Sequence, residues 1–258
     1  MTLVTPTVEE HLAGLDAAVD RMGVWARSAG PDAPVPTCPG WTVRDVLVHQ
    51  GMVHRWATAV VRGDDPRTVD DAAIEAEGRA APDPVVWLLN GAPALVSALE
   101  SAPDDLAVMT FLMQAPPARQ FWARRQCHET TVHALDALSA REARHLGAAD
   151  VWLTEELASD GVDELLVGFW QRRTKGPRSE SRYTAVVSVT DGPAWSLTVG
   201  PEAPVTRPLP AGYGIPDGAR TLRGSAADVY LALWNRGGTV DDPTGLLDAW
   251  RERGAVTW

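Results

Sequence analysis

The sequence predicts an α+β protein, with a four-helix bundle over residues 1–150 and a small α+β domain over residues 151–258. In the first half, apolar residues repeat at helical spacing through four long segments. In the second half, two short segments rich in valine and threonine flank the turn sequence DGP, which is typical of a β-hairpin. A chain of 258 residues is long enough for two such domains.

The first two helices have recognisable ends. Apolar residues recur every three or four positions over residues 8–28, which predicts the first helix. The sequence GPDAPVPTCPG then ends it, because proline and glycine interrupt helices. Thr42 and Asp45 have the spacing of a capping box, so a second helix is expected to begin at WTVRDV and to continue to about Val61.

Two further helices complete the predicted bundle. The acidic segment GDDPRTVDDAAIEAEG is expected to be a loop with one short turn. Helix three should begin near Asp83 and Pro84, and Pro93 should kink or interrupt it before Ala102. Helix four is predicted from about Pro117 to Arg144. Four helices with these connections indicate a bundle.

The second half has mixed structure. A helical pattern in LTEELASDGVDELLVGFWQRR leads into TKGPRSES, which is expected to be an exposed linker or loop. The segments RYTAVVSVT and AWSLTVG are predicted to pair as the hairpin, and a short strand is expected near RTLRG. Two helices, SAADVYLALWNR and PTGLLDAWRER, should complete this domain.

Composition excludes several classes of protein. A net charge of −11 argues against a nucleic-acid-binding protein, which needs a basic surface. No apolar run approaches the length of about 18 residues that crosses a membrane, and the N-terminus lacks a signal-peptide pattern, so a cytoplasmic location is expected. The two cysteines form no disulfide framework and should be reduced. A single lysine among abundant arginine and alanine indicates a GC-rich genome.

Helix four carries an unusual polar stripe in the segment FWARRQCHETTVHALDA. A bundle helix usually presents apolar residues along its buried face. At about 100° per residue, five side chains of this helix instead fall within about 40° of one common direction: Trp122, Arg125, Glu129, His133 and Asp136.

Helix two supplies a further candidate for the same region. His49 lies on the apolar stripe of this helix and should point into the bundle, whereas His54 lies off the stripe and is expected near the surface. Glu129 and His133 are one turn apart, so both can reach one point in space. Two inward histidines and one carboxylate can bind a divalent metal and leave a fourth position open, as in catalytic sites.

Other interpretations of these residues stay open. Glu129 could form an ion pair with Arg125, and an inward histidine is often a core residue that is hydrogen-bonded to a neighbour. His128 is a rival ligand, but it lies about 100° from Glu129 around the helix. Asp136 could fix the tautomer of a ligand histidine or pair with an arginine.

Three segments carry a family resemblance. TCPGWTVRDVLVHQGMVHRWA and RRQCHETTVHALDA resemble the mycothiol-dependent maleylpyruvate isomerase family, one of the wider group of DinB-like metal-binding bundles. LRGSAADVYLALWNR resembles the sterol-carrier-like C-terminal domain of that family. The resemblance implies that His49, Glu129 and His133 are the metal ligands, that zinc is the usual metal and that mycothiol is the thiol cofactor.

The resemblance also implies roles for three other residues, one of which has two candidates. Trp122 would contact the cofactor, and Arg125 would contact the substrate carboxylate or support a ligand. The family uses an arginine of the second domain, which in this sequence is either Arg223 or Arg236. An arginine suits a carboxylate because it can bind both oxygens.

The implied activity is cis–trans isomerisation of a maleylpyruvate-type small molecule, in which a thiolate adds to the double bond and leaves after rotation. A mycothiol S-transferase that conjugates the thiol to a drug, toxin or biosynthetic intermediate is the alternative enzyme. A non-catalytic, metal-stabilised ligand-binding protein is an alternative of another class. The GC-rich composition fits an actinobacterial source, where mycothiol is made. A monomer or a homodimer is expected, with no nucleic-acid or membrane partner.

Overall fold

The computed structural model describes residues 3–173 and 176–254. They form two compact units, a helical unit of residues 7–111 and 115–145, and a mixed unit of residues 146–254 with the short segments 3–6 and 112–114. The predicted class, a helical region followed by a small sheet domain, is therefore confirmed. The boundary after residue 150 stays a prediction. No helix within the described residues combines the length and the apolarity needed to cross a bilayer.

The helical unit contains the four predicted long helices and one additional short helix. Each long helix ends within a few residues of its predicted bounds. In chain order the helices are α1 (Val8–Ala29), α2 (Val43–Val61), α3 (Asp71–Ala80), α4 (Pro84–Ser101) and α5 (Ala118–Glu142).

Helix α3 corrects the expectation of a loop in the acidic segment. Its first turn is capped by Asp70, whose side chain accepts a hydrogen bond from the backbone of Ala73. Gly78 lets the helix approach the Trp87 ring closely, since a Cβ at this position would lie 2.8 Å from a ring carbon. The helix is therefore stabilised by its cap and by tertiary contact, which the weak apolar periodicity of the segment does not reveal.

Helix α4 continues through Pro93, so the expected interruption is absent, while the expected kink stays a prediction. The proline lies on the exposed side of the helix, while Leu88, Leu95 and Leu99 are fully buried around it. A proline inside a helix removes one backbone hydrogen bond. Apolar packing on both sides of Pro93 offsets that loss.

The start of α2 agrees with the sequence analysis. Thr42 accepts a hydrogen bond from the Asp45 backbone, and the Asp45 carboxylate accepts one from the Thr42 backbone at 2.8 Å. The preceding loop is closed by two backbone hydrogen bonds, from Val35 to Trp41 and from Trp41 to Cys38. This loop and the capping box fix where α2 begins and therefore which of its residues face α5.

Helix α5 is the central element of the helical unit. It packs against α1 and α2, and almost every residue from Phe121 to Ala140 is buried. Apolar residues of the surrounding helices, such as Leu15, Met22 and Leu47, form the core around it. The polar residues of α5 are consequently buried as well.

The mixed unit contains a four-stranded sheet with the strand order β3-β2-β1-β4. The predicted hairpin and the strand near RTLRG are confirmed, and β4 runs parallel to β1. The strands are β1 (Tyr183–Val189), β2 (Ala194–Val199), β3 (Val205–Pro208) and β4 (Arg220–Gly224). The sequence analysis missed β3, which has only four residues and ends in a proline.

Helices complete the mixed unit. The predicted helix before the linker consists of α6 (Glu155–Asp163) followed by a π-helical segment, Glu164–Phe169. The last two predicted helices are α7 (Ala226–Leu233) and α8 (Leu246–Gly254). Residues 174–175 of the predicted linker, and residues 255–258 at the end of the predicted second domain, lie outside the described residues.

Candidate metal centre

Helices α2 and α5 bring His49, Glu129 and His133 together. One ligand atom of each residue lies within 4.8 Å of the ligand atoms of the other two. The Oε1 atom of Glu129 is 3.7 Å from His49 Nε2 and 3.7 Å from His133 Nε2. Two imidazole nitrogens therefore converge on one carboxylate oxygen.

The cluster is buried on one side and accessible on the other. The exposed fraction of the side chain is 0% for His133 and 6% for Glu129, but 21% for His49. The side of the cluster formed by His49 is therefore the most accessible to solvent. The nitrogen atoms that face Glu129, His49 Nε2 and His133 Nε2, are nevertheless themselves buried.

Glu129 is charged in spite of its burial. Its second oxygen, Oε2, accepts a hydrogen bond from Arg125 Nη2 at 2.8 Å. Burial by itself would raise the pKa of the Glu129 carboxyl, but Arg125 and the two histidines hold that pKa well below its usual range. The ion pair that the sequence left as an alternative thus coexists with the three-residue cluster.

His133 is oriented by a carboxylate on its own helix. Its Nδ1 atom lies 2.9 Å from Asp136 Oδ2, so the geometry assigns the Nδ1 proton to this hydrogen bond and directs Nε2 towards Glu129. Burial lowers the pKa of His133, but the hydrogen bond to Asp136 and the nearby negative charge of Glu129 raise it more, and its pKa is above the usual value. Of the two roles considered for Asp136, this contact favours the orientation of a histidine.

The loop before α2 supports Asp136. Thr37 Oγ1 donates a hydrogen bond to Asp136 Oδ1 at 2.6 Å, and Cys38 Sγ donates to Oδ2 at 3.4 Å. Both contacts favour the charged carboxylate. The TCPGW sequence therefore connects the start of α2 to the residue that orients His133.

Trp41 is a site residue that the sequence analysis missed. Its ring is almost parallel to that of His133, with a centroid distance of 6.3 Å and an angle of 9°. It also meets the His49 ring edge-on at 5.3 Å. The signal in the sequence is the position of Trp41 at the end of the closed loop, one residue before the helix cap.

His54 corrects a sequence expectation, because it is fully buried rather than near the surface. Its Nε2 atom lies 2.8 Å from Thr130 Oγ1, which also accepts a hydrogen bond from Gln50 Nε2 at 3.1 Å. Burial, with a smaller contribution from Arg55, lowers the pKa of His54 to about 3. The error arose because α2 packs against both α4 and α5 and so has two buried faces.

His128 and Trp122 point to other parts of the helical unit. His128 is buried and meets His11 of α1 edge-on, with a centroid distance of 6.0 Å. Trp122 is fully buried among aromatic rings, including Trp56 and Phe111, and its indole N–H donates to the Met109 carbonyl at 3.0 Å. The expected contact of Trp122 with the thiol cofactor stays a prediction.

The two candidate arginines of the mixed unit differ in exposure. Arg223 lies on β4 with an exposed side chain, and its backbone pairs with that of Asp241. Arg236 is buried, and its Nη1 atom donates to the Trp234 carbonyl at 2.7 Å. A contact of either arginine with substrate stays a prediction.

Comparison with known proteins assigns the family. Residues 11–138 match the profile of the mycothiol maleylpyruvate isomerase N-terminal domain, and residues 156–254 match that of the C-terminal domain of the same family. Two solved structures are similar to the chain, the mycothiol-dependent maleylpyruvate isomerase (TM-score 0.60, 13% identity) and a histidine-to-alanine mutant of it (TM-score 0.64, 14% identity). In both cases the alignment covers 94% of this chain and 97% of the other.

These matches and the fold define a class of enzymes in which a helical bundle precedes a small sheet domain. The chain belongs to the mycothiol-dependent maleylpyruvate isomerase family, which confirms the resemblance stated from its sequence. At 13–14% identity, the similarity to the solved structures establishes the fold alone. No curated protein sequence matches the chain significantly.

Proposed function

We propose that this protein is a metal-dependent enzyme that uses the thiol mycothiol on an electrophilic small molecule, with maleylpyruvate-type cis–trans isomerisation as its activity. The observation that carries the proposal is the convergence of His49, Glu129 and His133 within the helical unit. This unit contains the match to the N-terminal domain of the isomerase family.

The three residues suit a divalent metal such as zinc. Zinc bonds of about 2.0–2.2 Å in a tetrahedron place neighbouring donor atoms about 3.4 Å apart. The two nitrogen–oxygen distances of 3.7 Å need to shorten only slightly to reach that spacing. Two imidazoles and one carboxylate are also a donor set of catalytic zinc sites, in which the fourth position binds water or substrate.

Residues around the three ligands prepare the site for a thiol. When bound, the metal would supply a thiolate at neutral pH, because coordination removes the proton of a thiol. Asp136 holds His133 in the tautomer whose Nε2 can bind the metal. Trp41 lies against both histidine rings, and His49, the most exposed of the three residues, is on the side from which cofactor and substrate would enter.

We also propose that Arg223, rather than Arg236, binds the substrate carboxylate. The guanidinium of Arg236 is buried and donates to a backbone carbonyl, whereas the side chain of Arg223 is exposed. An Arg223→Gln variant is expected to raise the KM for an acidic substrate with little effect on metal content. An Arg236→Gln variant with the same kinetic effect and unchanged stability would contradict this choice.

Metal content is the first test of the proposal. About one zinc per chain is expected in the wild type, and Glu129→Ala and His133→Ala should lose it while remaining folded by circular dichroism. Glu142→Ala, on the surface of the same helix, is the matched control and should retain the metal. A folded wild type that neither contains nor binds zinc would overturn the proposal.

Assays of the metal-loaded protein then distinguish between the proposed reactions. Cis–trans isomerisation of maleylpyruvate that requires mycothiol is the expected result, with no net consumption of the thiol. Stoichiometric loss of mycothiol into an adduct would instead establish the S-transferase. Absence of both activities in the metal-loaded protein would favour the ligand-binding alternative.

The other expectations from the sequence complete the proposal. We propose that residues 1–150 and 151–258 are separate domains, that the source is actinobacterial and that the enzyme is cytoplasmic. A small-molecule substrate and a thiol are its proposed partners.

A further inference from the structure

We infer that Arg125 is a positioning residue that makes Glu129 bind the metal through a single oxygen. The inference rests on the proposed function and goes beyond it, because it concerns the number of ligands rather than their identity. Its basis is the unequal environment of the two carboxylate oxygens of Glu129.

The two oxygens face different partners. Oε2 accepts the hydrogen bond from Arg125 Nη2 at 2.8 Å. Oε1 instead faces Nε2 of His49 and Nε2 of His133, each at 3.7 Å. Only Oε1 therefore lies at the point where the three donors converge, while Oε2 is already used in a charge-assisted hydrogen bond.

The pair is buried. The side chain of Arg125 is 2% exposed and that of Glu129 is 6% exposed. For Oε2 to bind the metal as well, the carboxylate would have to rotate towards the two histidines, because only Oε1 now faces them, and this rotation would draw Oε2 away from the buried guanidinium of Arg125. Separating a buried ion pair in this way is strongly unfavourable.

Helix stability does not explain the pair. At a spacing of four residues, the favourable order for a helix places the acidic residue before the basic one. Here Arg125 precedes Glu129, and both lie on a buried face where desolvation offsets much of the attraction. Control of the orientation of the carboxylate is the better explanation of the pair.

Binding through one oxygen has two chemical consequences. The protein then supplies three donor atoms, and the fourth position of a tetrahedral metal stays available to a thiol. In addition, Arg125 draws negative charge away from the metal ligand, so the site favours an anionic fourth ligand over a neutral one.

Cobalt replaces zinc as the probe in the test. The proteins are wild type, Arg125→Met, Arg125→Lys and Arg141→Met, which removes an arginine that pairs with Glu142 near the end of the same helix. Each is stripped with a chelator, loaded with one equivalent of Co²⁺ and checked for folding. Four-coordinate Co²⁺ absorbs visible light much more strongly than Co²⁺ with five or six ligands, so absorption intensity reports the coordination number.

Intense visible absorption is expected for the wild type, for Arg141→Met and for Arg125→Lys, which keeps one cationic donor. Arg125→Met should lose absorption several-fold, because both oxygens of Glu129 can then bind. The inference would be overturned by an Arg125→Met protein that is folded, contains Co²⁺ and absorbs visible light as strongly as the wild type, even if it is less stable.

A second measurement covers the case in which Arg125→Met does not fold. X-ray absorption of the zinc-loaded wild type should show four donor atoms with a single carboxylate oxygen. Two oxygens from Glu129 would overturn the inference while leaving the metal site and the proposed function intact. A wild type that binds neither metal would overturn both.

Discussion

Replacement of Asp136 by asparagine gives the most direct test of how the proposed metal centre is held together. Asp136 accepts hydrogen bonds from Thr37 at 2.6 Å, from His133 at 2.9 Å and from Cys38 at 3.4 Å. Asparagine has almost the same shape, but one of its two terminal groups is a donor and the charge is lost. It cannot accept from all three partners, and it polarises His133 less.

The expected magnitude follows from this contact. Loss of the group that orients a ligand histidine weakens metal binding by about 10- to 100-fold. That change corresponds to about 1.4–2.8 kcal/mol of binding free energy. Thr37→Val is the matched control, since it removes one hydrogen bond and leaves the carboxylate in contact with His133. Its effect on zinc affinity should be less than about tenfold.

Competition with a chromophoric chelator at pH 7 measures both affinities, and circular dichroism confirms folding. The order expected for zinc affinity is wild type, then Thr37→Val, then Asp136→Asn. A folded Asp136→Asn protein that binds zinc as tightly as the wild type would refute the reasoning. In that case the contact between Asp136 and His133 would contribute to stability alone.

Three other substitutions test what stabilises helix α2, which carries His49. The pKa of His54 is about 3 in the folded state, so this side chain stays neutral there while the same histidine in the unfolded chain gains a proton below pH 6.5. The free energy of unfolding should therefore fall as the pH drops from 6.5 towards 3. The slope is about 1.4 kcal/mol per pH unit, and urea unfolding at pH 7 and 5 should show a smaller loss for His54→Gln. Gly51→Ala should lower the free energy of unfolding by about 1–3 kcal/mol in the same assay, because the new Cβ would lie 2.2 Å from the Trp87 ring. Gly214→Ala is the control and should leave that free energy almost unchanged, because its Cβ would meet no atom within 4 Å. Thr42→Ala removes the cap of α2 and should cost about 1 kcal/mol, and an unchanged midpoint would contradict the capping role.

Local chemistry was sufficient to predict most of the helices and the common face of Glu129 and His133. Thr42 and Asp45 mark the start of α2 by their spacing alone. The spacing of Glu129 and His133 places them on one face of α5 whatever surrounds it. In both cases the information lies within one turn of a helix, so a single sequence contains it.

Features that depend on distant residues could not be predicted in the same way. His54 was expected near the surface because a single apolar stripe was assigned to α2, whereas α2 packs on two helices. Trp41 lies beside the two histidines only because the loop before α2 folds back on itself. Helix α3 depends on space beside Trp87 that Gly78 provides. Each of these outcomes is decided by packing between elements rather than by pattern within one.

The burial of α5 explains why the polar stripe is informative. A surface helix can carry Arg125, Glu129 and His133 at little cost, but on α5 these side chains are almost completely removed from water. Burying charged groups is unfavourable unless each has a partner, and apolar residues of similar size would give a more stable core. Arg125 pairs with Glu129 and Asp136 pairs with His133, yet the arrangement aims Glu129 Oε1 and His133 Nε2 at one another from 3.7 Å, beyond hydrogen-bonding distance. A cation between these two atoms and His49 Nε2 would bind all three, and this geometry supports the proposed metal centre over a network that only stabilises the fold.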